Sequence, residues 1–184
     1  MNRRTLLAGA AAVLATTTIA QSQTVKRLWL LGDSLTVGFG ADSYEQTWAY
    51  QLGGINLAIS GSLCEEQVRC SVPYIPLWAD RGDTVIWLTG YNDDNVDVYR
   101  DQFYKGMGQL LGYSVLVIGC PVHPHRDVSP YNAVASTVPW YTNCPDFPRM
   151  DDNHFSQAGH NQMAEFVRYQ LQKPYQFFLP RIER

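Results

Sequence analysis

A serine hydroxyl, an imidazole and an amide side chain can together carry acyl transfer, provided the chain brings them to one place. Ser34 stands at the end of Leu28-Trp29-Leu30-Leu31-Gly32-Asp33-Ser34. Four consecutive apolar residues read as a strand buried on both faces, the pattern of a central parallel strand. Gly32 lets the chain turn sharply there, which puts Ser34 at the carboxyl end of a strand, where open α/β sheets build their active sites. The same residues have a plainer use, because Asp33 or Ser34 can simply cap a following helix. Three more turns carry polar groups of complementary kinds: Gly61 in Ser60-Gly61-Ser62, Asn92 in Gly90-Tyr91-Asn92-Asp93, and His154 in Asp151-Asp152-Asn153-His154. A nucleophile, hydrogen-bond donors for a developing oxyanion, and a base are what a serine-dependent ester cleavage needs.

The elements that must position these turns follow from periodicity. Apolar runs predict strands at 28–31, 55–59, 83–89 and 114–118, with a weaker fifth at 138–142. Between them, Ser43 can cap a helix running to about Leu52, and another starts near Ser62 and is interrupted by Pro73 and Pro76. Asn95 caps a third, in which Val96, Tyr99, Phe103, Met107, Leu110 and Leu111 recur at helical spacing. Gly106 and Gly108 weaken that helix, so close packing against the sheet is the expected reason for both. Ser156 caps a last helix that turns Met163, Phe166, Val167 and Leu171 to the core. Strands alternating with helices imply a parallel, doubly wound sheet. The expected fold is an α/β three-layer α/β/α sandwich with a five-stranded, flavodoxin-like parallel sheet.

The 184 residues divide into an export signal at 1–20 and one domain at 21–184. Arg3-Arg4 precede an apolar, Ala-rich stretch that ends in small residues, and the stretch is too short to span a membrane. The paired arginines fit a twin-arginine signal, with an ordinary secretory signal as the alternative. No cysteine follows the small residues, which argues against a lipid anchor. A periplasmic or secreted protein is expected, a monomer with no stable membrane insertion once the signal is removed. The net charge is −3, and the signal contributes two arginines and no acids, so the remainder is more acidic still. That balance argues against nucleic acid as a partner. Four cysteines in an exported chain suggest disulfides. Cys120 and Cys144 follow neighbouring predicted strands and are expected to pair. Cys64 and Cys70 would lie about 9 Å apart along a helix, beyond disulfide reach, so that segment is irregular or unbridged. No paired C-x-x-C spacing points to a metal.

The four turns, taken in order, resemble the motif blocks of the SGNH hydrolases, also called GDSL esterases and lipases. Gly32-Asp33-Ser34-Leu35 is similar to the first block, Asn56-Leu57-Ala58-Ile59-Ser60-Gly61 to the second, Gly90-Tyr91-Asn92-Asp93 to the third and Asp151-Asp152-Asn153-His154 to the last. The resemblance runs from Lys26 to about Gln172. It implies Ser34 as nucleophile, His154 as base, and the N–H groups of Ser34 and Gly61 with the Asn92 amide as the oxyanion hole. Asp151 would accept the Nδ1 proton of His154 and fix its tautomer, with Asp152 as the rival for that role. Neither cofactor nor metal is implied. Tyr91 is bulkier than the small residue usual at its position, and it is expected to line the pocket.

Other candidates have narrower readings. His123-Pro124-His125 could ligate a metal or, in the case of His123, touch substrate at the rim. His160 reads as an ordinary polar residue of the last helix. Asp33 would organise the nucleophile turn and Asp93 would help hold the Asn92 loop. No amphipathic insertion offers a lid for long acyl chains. The expected activity is therefore hydrolysis of short-acyl or acetyl esters, with a small-molecule or carbohydrate ester as substrate. The alternatives are a thioesterase or lysophospholipase of the same family, and a non-catalytic carbohydrate-binding module.

Overall fold

A computed structural model describes residues 26–173; the expected export signal lies outside the described residues. The sheet has five parallel strands: β1 (Leu28–Leu31), β2 (Ile55–Asn56), β3 (Thr84–Leu88), β4 (Ser114–Ile118) and β5 (Tyr141–Thr142). Their spatial order is β2-β1-β3-β4-β5, the flavodoxin-like order with its switch point at β1 and β3. Trp29, Leu30 and Leu31 are buried, as are Val85 to Leu88 and Val115 to Ile118. The three central strands are thus covered on both faces.

Two helical layers cover the sheet. On one side α3 (Cys64–Cys70), α5 (Val96–Gln109) and α6 (Ser129–Ala135) pack together. On the other, α1 (Ser34–Val37), α2 (Trp48–Gln51) and α7 (Gln157–Gln172) pack together, with a 3₁₀ turn at Tyr44–Gln46. The short α4 (Tyr74–Trp78) begins after Pro73 and takes Pro76 in its first turn, where a missing N–H costs nothing. Asn95 caps α5 through the N–H groups of Asp97 and Val98. Ser156 caps α7 through Gly159.

Some expectations need correction. The helix at 43–52 is divided, because Thr47 leaves helical geometry and caps α2 through the Tyr50 N–H. The run 55–59 pairs as a strand only over two residues. Beyond it the Asn56 side chain bends the chain, accepting from Ala58 N–H and donating to the Thr36 carbonyl, while Leu57 and Ile59 still donate to β1 and Gly32. A Cβ on Gly106 would meet Trp87 and Val68 at 2.5 and 2.8 Å, so packing explains that glycine. Gly108 has nothing within 4 Å, and packing does not explain it.

The four cysteines are free. β4 and β5 are neighbours as expected, but the Cys120 thiol donates to the Thr89 carbonyl at 3.1 Å. Thr89 follows β3, on the opposite side of β4 from β5, so the sulfur turns away from Cys144. Cys64 and Cys70 mark the two ends of α3, a separation no disulfide spans.

At the amino edge of the sheet lies a dense polar knot. Asp83 accepts from the Arg27 N–H and Nε, the Trp29 indole and the Asp80 N–H, all at 2.9–3.0 Å. The knot ties the start of β1 to the turn that feeds β3.

Candidate active site

The carboxyl ends of β1 and β3, with the loops after β2 and before α7, converge on one cavity of about 420 Å³. Ser34, Gly61, Tyr91, Asn92, His123 and His154 all line it, so every candidate site residue except Asp151 reaches it directly. Phe39 and Arg126 line it too, and neither was singled out from the sequence.

Ser34 is the first residue of α1. Asp33 caps that helix, its Oδ1 accepting from Leu35 N–H at 3.0 Å. The capping use of this turn and its chemical use therefore coexist. Gly32 is required for close approach: a Cβ there would sit 2.3 Å from Thr36 Oγ1 and 2.9 Å from the Leu88 carbonyl.

His154 Nε2 lies 3.1 Å from Ser34 Oγ, and its Nδ1 lies 2.9 Å from Asp151 Oδ2. The other Asp151 oxygen accepts the N–H groups of Asn153 and His154, both at 2.7 Å. One carboxylate thus folds the turn and orients the ring. These contacts, the His154 side chain first, hold the Asp151 carboxyl down at about 2. Asp152, the rival, faces elsewhere, its Oδ2 lying 3.0 Å from His125 Nε2. The ring of Phe39 packs on His154, with centroids 5.4 Å apart. His160 differs from its expected role: it is fully buried, and its Nε2 lies 3.0 Å from the Phe39 carbonyl, holding the loop that carries that ring.

Three donors face the same space. The Ser34 and Gly61 N–H groups have no partner among the described residues. Gly61 adopts φ +71°, a left-handed conformation that disfavours any side chain. The Asn92 amide has both of its hydrogens engaged, donating to Asp33 Oδ2 at 3.3 Å and to the Ser62 carbonyl at 3.2 Å, long bonds that an oxyanion would share or displace. Asp93 anchors the Asn92 loop from behind by accepting the Cys64 N–H at the start of α3. Burial raises the Asp33 carboxyl to about 7 and the Asp93 carboxyl to about 6, each against hydrogen bonds that pull down. A hydroxyl, a ring aligned by a carboxylate, and converging donors can move a proton and hold an oxyanion.

The rim is built by Tyr91, His123 and Arg149. Arg149 donates to the Tyr91 hydroxyl at 3.0 Å and to the Asp152 carbonyl at 2.9 Å, and the Tyr91 ring packs at a tilt against His123 with centroids 5.0 Å apart. Burial first, then Arg126, lowers the His123 pKa from its ordinary value. Among the described residues no three His, Cys, Asp or Glu side chains cluster as metal ligands.

Comparison with solved structures bears on the fold. No family model matches the sequence, and no curated protein matches it. The structure is similar to the psychrotrophic esterase EstA from Pseudoalteromonas sp., solved inhibited by monoethylphosphonate, at 13% identity and TM-score 0.66, covering 80% of this chain and 97% of that one. It is also similar to a lipolytic protein of the G-D-S-L family from Desulfitobacterium hafniense, at 12% identity and TM-score 0.64, covering 79% and 99%. The chain has the SGNH-hydrolase fold. A further structure with this SGNH fold is an acetylxylan esterase from Geobacillus stearothermophilus, at 12% identity and TM-score 0.63, covering 81% and 95%.

Proposed function

We propose that this chain is an exported serine esterase, hydrolysing carboxylic esters of short acyl groups through an acyl-enzyme on Ser34. The observation that carries the reading is the pair of His154 contacts, 3.1 Å to Ser34 Oγ and 2.9 Å to Asp151. In the reaction Ser34 Oγ attacks the ester carbonyl while its proton passes to His154 Nε2. The negative oxygen of the tetrahedral intermediate meets the N–H groups of Ser34 and Gly61 and the Asn92 amide. Collapse breaks the bond to the alcohol, which leaves with the proton from His154. A water then repeats the sequence against the acyl-enzyme and releases the acid.

The short-acyl preference rests on the walls. Tyr91 is held by Arg149 at its hydroxyl and packs at a tilt against His123, leaving a fixed aromatic edge rather than an open apolar groove. The alcohol side, with His123, suits a hydrogen-bonding leaving group such as a sugar. Export rests on the signal-like residues 1–20, which make 21–184 the mature domain. Among the described residues no helix is long and apolar enough to cross a membrane.

Two measurements test this. A fluorophosphonate should label Ser34 stoichiometrically; an unlabelled serine would leave a binding module as the reading. Hydrolysis of p-nitrophenyl esters should be fastest for acetyl to butyryl. Each CH₂ buried in an apolar groove contributes about 0.8 kcal/mol, so kcat/KM climbing steadily with chain length would move the assignment to a thioesterase or lysophospholipase.

A further inference from the structure

The loop that presents Asn92 is gathered by a single side chain from a distant loop. Arg126 closes a tight turn, paired as an antiparallel bridge with His123. Its Nη2 donates to the carbonyls of Gly90, at 3.2 Å, and of Tyr91, and its Nη1 donates to the carbonyl of Asp93. Three carbonyls from four consecutive residues therefore converge on one cation. The guanidinium makes no ion pair among the described residues, and the Tyr131 ring lies against it, 5.3 Å from centroid to carbon. Its Nε is buried without a partner.

This arrangement has a purpose that a surface arginine lacks. Bonds from a charged donor are roughly twice as strong as neutral ones, and the planar fork of arginine can serve several carbonyls where an ammonium cannot. A trans peptide points its N–H opposite its carbonyl, so fixing the Tyr91 carbonyl also fixes the plane from which Asn92 departs. The amide of Asn92 itself has only two long hydrogen bonds, at 3.3 and 3.2 Å. Oxyanion stabilisation depends on donors that do not have to move. A carbonyl rotated toward that oxygen would oppose it.

We propose that Arg126 is a positioning residue for the oxyanion donor: by holding the carbonyls of Gly90, Tyr91 and Asp93, it sets Asn92 where negative charge develops. The role rests on the acyl-transfer reading of Ser34. It accelerates the chemical step without contact between Arg126 and the reacting carbonyl.

The test is a double-mutant cycle on p-nitrophenyl acetate with Arg126→Ala, Arg126→Lys, Asn92→Ala and the double variants, with Ser34→Ala alongside. Misplacement of a catalytic group by a remote change can cost on the order of 10²-fold. Arg126→Ala should accordingly lower kcat by roughly 10–100-fold with KM nearly unchanged, and Arg126→Lys should restore only part. In the Asn92→Ala background the same change should cost less than about 3-fold, because coupled residues are not additive. Equal losses in both backgrounds, or an effect confined to KM, would overturn the proposal. If Arg126→Ala does not fold, the cycle with Arg126→Lys decides on the same criteria. A Ser34→Ala variant that kept its rate would sink the acyl-transfer reading instead. Strict Ser34 dependence with additive Arg126 and Asn92 effects sinks only the positioning role.

Discussion

Asp83 and Asp33 are buried carboxylates at opposite edges of the same two central strands, and their surroundings differ in kind. Asp83, 2% exposed, accepts from four donors, one of them a guanidinium. Burial alone would raise its pKa, but Trp29, the backbone N–H groups of Arg27 and Asp80, and the Arg27 charge outweigh it and hold the carboxyl below its ordinary value. Asp33, with no exposure, has two donors, and Asp93 raises it further by like charge. The hydroxyls of Thr36, in α1, and of Thr89, just after β3, are buried without partners. One edge of the sheet is saturated and holds strands together. The other, which carries Ser34 and Asn92, leaves buried polar groups under-satisfied, as local rules are expected to fail near a functional site.

The sharpest way to break this contrast is Ser34→Ala. Loss of the nucleophile of a triad can cost on the order of 10⁶-fold in kcat, and the melting temperature should stay within a degree or two of the wild type. A variant retaining a tenth of the rate would remove the chemical edge from the comparison. Asp83→Ala should do the opposite. Each buried donor it leaves unmet, the Trp29 indole foremost, costs roughly 1–3 kcal/mol, so the melting temperature should fall by several degrees while kcat holds. A fall in kcat without one in stability would show the two edges to be coupled.

The finest probe is a slope against pH. Asp83 has a folded pKa below its unfolded one, so its contribution is present above the unfolded carboxyl range and lost as pH falls. Asp33 has a folded pKa raised to about 7, so its protonated form is the one the fold favours. Its contribution is present at low pH and lost as pH rises through about 7. Asp33→Asn should therefore flatten the decline in stability between pH 4 and 7, as read by chemical denaturation at each pH. An unchanged slope would assign the decline to Asp93.

Much of this was legible in the sequence, for a physical reason. Ser34 and Asn92 announce themselves because each occupies a turn after an apolar run, and His154 with Asp151 because three residues is the span of a side chain that caps its own turn just ahead of a helix. The central strands and the Asn95 and Ser156 caps were legible for the same local reasons. Arg126, Arg149 and Phe39 were not. The arginines act largely on backbone carbonyls, which every residue has, so no pattern of types betrays the contact. Phe39 acts by lying beside His154, a proximity made only by the folded chain. The Cys120–Cys144 expectation followed strand order alone: β4 and β5 are neighbours, but the Cys120 thiol donates to the Thr89 carbonyl and both cysteines are free. The edge strand β2 came out shorter than its apolar run because the Asn56 amide bends the chain.

The bond between His154 and Ser34 joins residues 120 positions apart in the chain, and this bears on how the protein comes to life. Contacts of such long range are the slowest to form, since the loop they close must lose its freedom first. The sheet can assemble around Trp87 from β1, β3 and β4 before the segment leading into α7 has docked. A refolding chain should then recover its tryptophan fluorescence before it becomes reactive toward a fluorophosphonate. The delay between the two signals times the arrival of the last helix. Chemistry in this molecule is a report that the chain has closed on itself.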